Sequence, residues 1–145
     1  MRKIILSSLL LTSFTAASAE ALDDKNYKLS RALAECAGTY SAVSVIIKTD
    51  KTQNVVKQFE GLARGYKASA SYLNYISGNM TFEKAGEWAE SIEEVRKIDL
   101  LSRVELSTKD KIPEEVTQSL SLCKELSPLQ IEIVEQIRKQ IYTNK

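Results

Sequence analysis

The chain has 145 residues, 20 Lys or Arg against 19 Asp or Glu, and no histidine, for a formal net charge of +1. Near-neutrality excludes a general nucleic-acid binder, which needs a strong positive field to release counterions from phosphate. The missing imidazole excludes Ser-His-Asp and Cys-His catalysis, Glu-x-x-His di-iron sites and the commonest metal ligand.

The opening "MRKIILSSLLLTSFTAASAE" reads as a secretory signal peptide of bacterial proportions. Arg2 and Lys3 form the positive start, Ile4 to Phe14 the apolar stretch, and Ala17-Ser18-Ala19 the small-residue cleavage site. A spanning helix needs about 20 apolar residues, and neither this run nor any later one reaches that length. The other reading of the leader is a retained amphipathic anchor; with Glu20 rather than a cysteine immediately after the cleavage site, a lipoprotein anchor is not indicated. Cleavage after Ala19 separates a signal peptide at 1–19 from a mature chain at 20–145 of about 126 residues, the size of a single domain.

Only two prolines occur, and apolar residues recur with a helical rather than an alternating period. After Asp23-Asp24, a candidate N-cap region, Leu29, Leu33, Cys36, Tyr40, Val43 and Ile47 follow at alternating steps of four and three and share one face of a first helix. The polar run at 48–54 predicts a turn. A second stripe through Val55, Phe59, Leu62, Tyr66, Ser69, Leu73 and Ile76 predicts a helix ending near Ser77, where Gly78 suits the left-handed residue after a helix end. Thr81 is the candidate N-cap of a third helix, with Glu83 and Glu87 near its positive end. Phe82, Ala85, Ala89, Ile92 and Val95 form its inner side, Trp88 flanks that side, and the helix ends between Leu100 and Leu106.

Pro113 suits the first turn of a fourth helix whose inner side is Val116, Leu120 and Cys123. Ser127, Pro128 and Gln130 then form a capping box, with Leu126 and Ile131 placed as a hydrophobic staple. They predict a new helix with apolar positions Ile133, Val134, Ile137 and Ile141. The fold expected is all-α, an antiparallel bundle of four to five helices in one domain, with no repeat or linker to mark a second.

Two cysteines in an exported chain are more often bonded than free, and both fall on inward faces. Cys36 and Cys123 are therefore expected to form a disulfide between the first and fourth helices, closing a loop the chain-entropy model values at roughly 4 to 5 kcal/mol. A redox or nucleophilic thiol lacks both a C-x-x-C spacing and an activating histidine.

Candidate functional residues fall into two groups. Glu83, Glu87, Glu90 and Glu94 make an acidic stripe along helix three. Paired carboxylates can bind calcium or transfer protons when a second element converges on them; otherwise such a stripe is a solvated or ion-paired face. Lys67 on helix two is expected opposite Glu87 or Glu90. The segment "GLARGYKASASYLNY" places Gly61 and Gly65 four residues apart among small residues, either for close approach of another helix or as part of a binding surface. Arg64, Lys67, Tyr66, Tyr72, Tyr75 and Trp88 form the candidate interaction surface. "NMT" at 79–81 matches a glycosylation sequon, but those residues serve as turn and cap. No glycine-rich phosphate loop or dinucleotide fingerprint occurs, and nothing calls for a metal or cofactor.

Between residues 25 and 67 there are eight Lys or Arg against three acids, and between 83 and 115 six against ten. The two halves either neutralise each other within the bundle or leave a basic surface on helices one and two. The leader, the segment "LAECAGTY" and the distant second cysteine together resemble small exported helical proteins of Gram-negative bacteria and their phages. That resemblance implies no activity. The reading is of a periplasmic or secreted, non-enzymatic helical protein that binds another protein, as an inhibitor, immunity factor or envelope accessory. The alternative is docking on anionic lipid or glycan through a basic face of helices one and two, and a carboxylate-dependent enzyme comes third.

Overall fold

The computed structural model describes residues 24–106 and 112–143, so the leader and Asp23 lie outside the described residues. Within them the chain is all-helical: α1 (Asp24–Ile46), α2 (Gln53–Ile76), α3 (Phe82–Leu106) and α4 (Glu114–Thr143). Successive helices run antiparallel. Ser30 near the start of α1 donates to the carbonyl of Ala70 near the end of α2, and Leu100 and Val116 meet where α3 gives way to α4.

The boundaries follow local chemistry. Thr52 closes the first turn by accepting from the Thr49 amide at 2.8 Å while its hydroxyl donates to the Ile47 carbonyl. At the end of α2, Gly78 takes the left-handed conformation (φ 73°), and the Asn79 amide reaches back to the Asn74 carbonyl at 3.2 Å. Only glycine enters that region without cost. Thr81 then caps α3, its hydroxyl accepting from the Lys84 amide at 3.4 Å.

α1 is the central helix. Ser30, Leu33, Ala34, Ala37, Thr39 and Ala42 are essentially inaccessible along with the six-residue stripe's middle members, so burial extends round most of its circumference. Small side chains make this possible, because they let neighbouring backbones close in from several sides. α1 and α2 form the tightest pair; α3 and α4 flank that pair and scarcely touch each other. The section is a flattened diamond, with α1 and α2 on the short diagonal and α3 and α4 at the far corners.

A methyl group added at Gly38 would lie 2.5 Å from the Glu93 carbonyl oxygen and 2.6 Å from Arg96 Cβ, which marks the closest crossing of α1 and α3. One added at Gly65 would meet the amide end of the Gln130 side chain at 2.7 Å, while one at Gly61 would touch only the Arg64 guanidinium of its own helix, at 4.0 Å. Of the expected glycine pair, one position is therefore a helix contact and the other is not. The bond between Cys36 and Cys123 is present, with Cα atoms 5.4 Å apart, and ties α1 to α4 at the middle of the bundle.

The structure departs from the sequence expectation on α2, α3 and α4. No helix starts at Ser127: α4 runs through Pro128 as one helix of 30 residues. The ring removes the bond to the Lys124 carbonyl, but Lys124 and Pro128 are both exposed, so water can take that carbonyl. Burial of Gln130 and Ile133 on the continuing face outweighs the local penalty. Ser127 lies inside α4 rather than capping a new helix, and the expected staple residue Ile131 is exposed.

On α2 the expected stripe members Tyr66, Ser69 and Leu73 are buried together with Val56, Ala63 and Ala70, whereas Val55, Leu62 and Ile76 are exposed; close approach of α1 selects alanine over leucine at 63. On α3 the buried residues are Ala85, Ala89 and Leu100, and both Phe82 and Val95 point to solvent. Ile141, near the end of α4, is exposed as well.

Candidate binding groove

Because α3 and α4 stand apart, the outer face of α2 lies at the bottom of a valley between them. A groove of about 450 Å³ opens there. Its floor is Ala68, Ser71 and Tyr72 on α2, its walls are Phe82 and Gly86 on α3 and Ile137 on α4, and its charged rim is Arg64, Lys67, Glu83 and Glu90. At its mouth Tyr75 and Phe82 pack edge to face with centroids 5.7 Å apart, although they remain 47% and 67% exposed. These two open rings touch each other beside the concave floor of Ala68, Ser71 and Tyr72, and contiguous exposed apolar surface of this kind marks interaction sites.

Charge along the valley is set by register. Lys67 shares the groove rim with Glu90, but its ammonium pairs with Glu93, at 2.9 Å, rather than with Glu87 or Glu90. Glu93 also accepts from the Ser41 hydroxyl at 2.7 Å, so one carboxylate with a side chain 14% exposed joins α1, α2 and α3. Pattern reading passed over Glu93 because it falls between the acidic stripe and the apolar one. Within the stripe itself, Glu83 and Glu90 line the groove, while Glu87 and Glu94 do not. Glu94 pairs with Lys97 on its own helix at 3.1 Å. No acid from another helix lines the groove with Glu83 and Glu90. Among the described residues no three His, Cys, Asp or Glu side chains converge in a way that could hold a metal ion.

The candidate aromatic surface divides. Tyr66 is fully buried and belongs to no surface: its hydroxyl donates to the Cys123 carbonyl, and its ring lies 5.3 Å from that of Tyr40. Burial pushes the Tyr66 hydroxyl up to about 12 from 10.0, and nearby Tyr40 adds to the rise. Tyr40 is raised for the same first reason. Tyr72 is nearly buried and offers one edge to the groove floor. Trp88 is half-buried on the other side of α3, against Tyr27 of α1 at 5.5 Å. Of the six residues named from sequence, Arg64, Lys67 and Tyr72 line the groove and Tyr75 stands at its mouth; Phe82 and Ala68 join them unforeseen.

A second, smaller cleft of about 90 Å³ lies on the α1 side, over the disulfide, between Leu122 and Leu126 of α4 and Arg96 of α3. Arg96 spans it, donating to Ser119 at 2.6 Å and to Asp99 at 3.0 Å, and so fastens α3 to α4. Its polar groups are satisfied by the protein itself.

No protein-family model, curated protein or solved structure matches this chain. No described helix is long and apolar enough to cross a membrane.

Proposed function

We propose that this is an exported, non-enzymatic helical protein that works by binding another protein of the cell envelope or outside the cell, in the manner of an inhibitor, immunity or envelope accessory factor, and that the valley over α2 is where it binds. The supporting observation is the apolar groove with the exposed Tyr75–Phe82 pair at its mouth. Protein interfaces are built from this combination of aromatic anchors, a dry centre and a charged rim. The disulfide agrees with an oxidising compartment, periplasmic or extracellular, as the leader suggests.

Docking on anionic lipid or glycan is less well supported. Lys25, Lys28 and Arg31 stand near the start of α1, while Lys48, Lys51 and Lys57 lie about the turn at its far end, roughly 30 Å away. Arg31 is paired with Glu35 and Lys67 with Glu93. These pairings and this separation weigh against a continuous basic face on α1 and α2.

The test is site-specific photocrosslinking in the producing cell, with the photoreactive residue at Ala68 on the groove floor and, as control, at the exposed Ser91 on the far side of α3. A discrete adduct from Ala68, absent from Ser91 and lost on Phe82→Ala, is expected. No adduct from Ala68, or the same adducts from both positions, overturns the proposal.

A further inference from the structure

We infer that the groove receives one amphipathic α-helix of the partner, with a lysine- or arginine-bearing edge lying along α3. This rests on the protein-binding reading above and names the chemistry of what is bound.

Shape comes first. The floor runs from Arg64 to Tyr72 and the wall from Phe82 to Glu90, each nine residues of straight helix, or about 13 Å. The residues at the bottom are small: Ala68 and Ser71 on the floor, and Gly86 on the wall, where an added methyl would meet nothing within 4 Å. Small side chains admit a helix at the usual interaxial distance of about 8 to 10 Å, in the valley that α3 and α4 leave open. Tyr72, Phe82 and Ile137 at one end would clasp its apolar stripe, as groove-binding helices are held by residues at steps of three and four.

Charge then selects the edge. Glu83 and Glu90 are seven residues apart, two turns on one face of α3, and neither enters an ion pair among the described residues. A facing helix matches them with cations at the same seven-residue interval. The positive side of the rim is weaker, because Lys67 is engaged by Glu93 and leaves Arg64 alone to receive an acid. The groove therefore discriminates mainly in favour of a basic edge, by complementarity of the kind that sets specificity and encounter rate.

The probes are three helical peptides with the same leucine stripe and one variable edge of lysine, glutamine or glutamate, titrated against the oxidised full-length mature chain by fluorescence anisotropy. The lysine peptide is expected to bind saturably and at least about tenfold more tightly than the glutamine peptide, with glutamate weakest. Glu83→Lys with Glu90→Lys should invert that order, and Ala68→Trp should abolish binding; circular dichroism confirms that both variants keep their helices. Equal affinities, a glutamate preference, or no saturable binding by any peptide overturns the inference. So does concentration-dependent dimerisation abolished by Ala68→Trp, which would make a second copy the occupant. An Ala68 photoadduct without a peptide preference defeats this inference alone, and a lysine preference without an adduct defeats the proposed function alone.

Discussion

Tyr66 concentrates several demands on one side chain. It is the largest fully buried residue, it stacks near Tyr40, and its hydroxyl reaches the carbonyl of Cys123, so it carries α2 onto the same residue that the disulfide ties to α1. Tyr66→Phe keeps the ring and removes the donor, and should cost about 1 to 2 kcal/mol, read as a lower urea midpoint at unchanged m-value. The pH dependence has a definite sign. With the hydroxyl at about 12 in the folded protein and 10.0 as the ordinary value, the folded state holds its proton more tightly than the unfolded chain. That contribution is complete below pH 10.0 and is lost as pH rises towards about 12. Denaturation midpoints compared between wild type and Tyr66→Phe across this range isolate it from the lysines, which titrate in both proteins; parallel curves would contradict the assignment. The sequence marked Tyr66 as apolar-stripe and surface candidate at once, and only the packing of three helices decides between the two.

At the scale of the helix, glycine separates close approach from mere tolerance. Gly38→Ala drives a methyl into backbone and Cβ atoms of α3 and should destabilise by about 1 to 3 kcal/mol. Gly65→Ala meets only the movable end of Gln130 and should fall near neutral, while Gly61→Ala, which touches only Arg64 of its own helix at an unstrained 4.0 Å, should stabilise by about 0.5 to 1 kcal/mol through helix propensity. Thermal melts of the three variants would show that order; a Gly38→Ala protein as stable as wild type would contradict the α1–α3 crossing. The helix positions themselves were legible. Polar turns, Gly78 and Thr81 carry local signals, and α1 and α2 were located within a residue or two. Rotation was legible on α1, and only in part on α2 and α3, where Tyr66, Ser69, Leu73, Ala85 and Ala89 are buried as expected but other stripe members are not. α3 is buried through alanines, which contribute little to a hydrophobic stripe, so its conspicuous residues Phe82 and Val95 were assigned inward although both face out. The capping box at Ser127 has correct spacing, yet tertiary burial beyond it keeps α4 unbroken.

For the molecule as a whole, the disulfide and the diamond section govern the rest. The bridge closes a sequence separation of 87 residues, for which chain entropy gives about 4 to 5 kcal/mol, a large part of a small domain's stability. The double variant Cys36→Ala, Cys123→Ala should melt on the order of 15 °C lower than wild type. Added reductant should lower the wild-type melt and leave the variant unchanged. This pairing followed from the sequence because compartment and inward spacing both pointed to it. The groove did not, because it depends on which two helices stand on the long diagonal. Arg64, Lys67, Tyr72 and Tyr75 were identifiable by type, but their shared valley with Phe82 and Ile137 is a property of assembly.

An exported, cross-tied bundle is the premise from which the binding role proceeds, and intact mass spectrometry of the unreduced protein taken from its producing cell tests it most directly. The expected species begins at Glu20, is lighter than the reduced mature chain by the mass of two hydrogens, and resists alkylation until reductant is added. A chain that retains Met1 and alkylates at both Cys36 and Cys123 without reduction would contradict export and the cross-tie together.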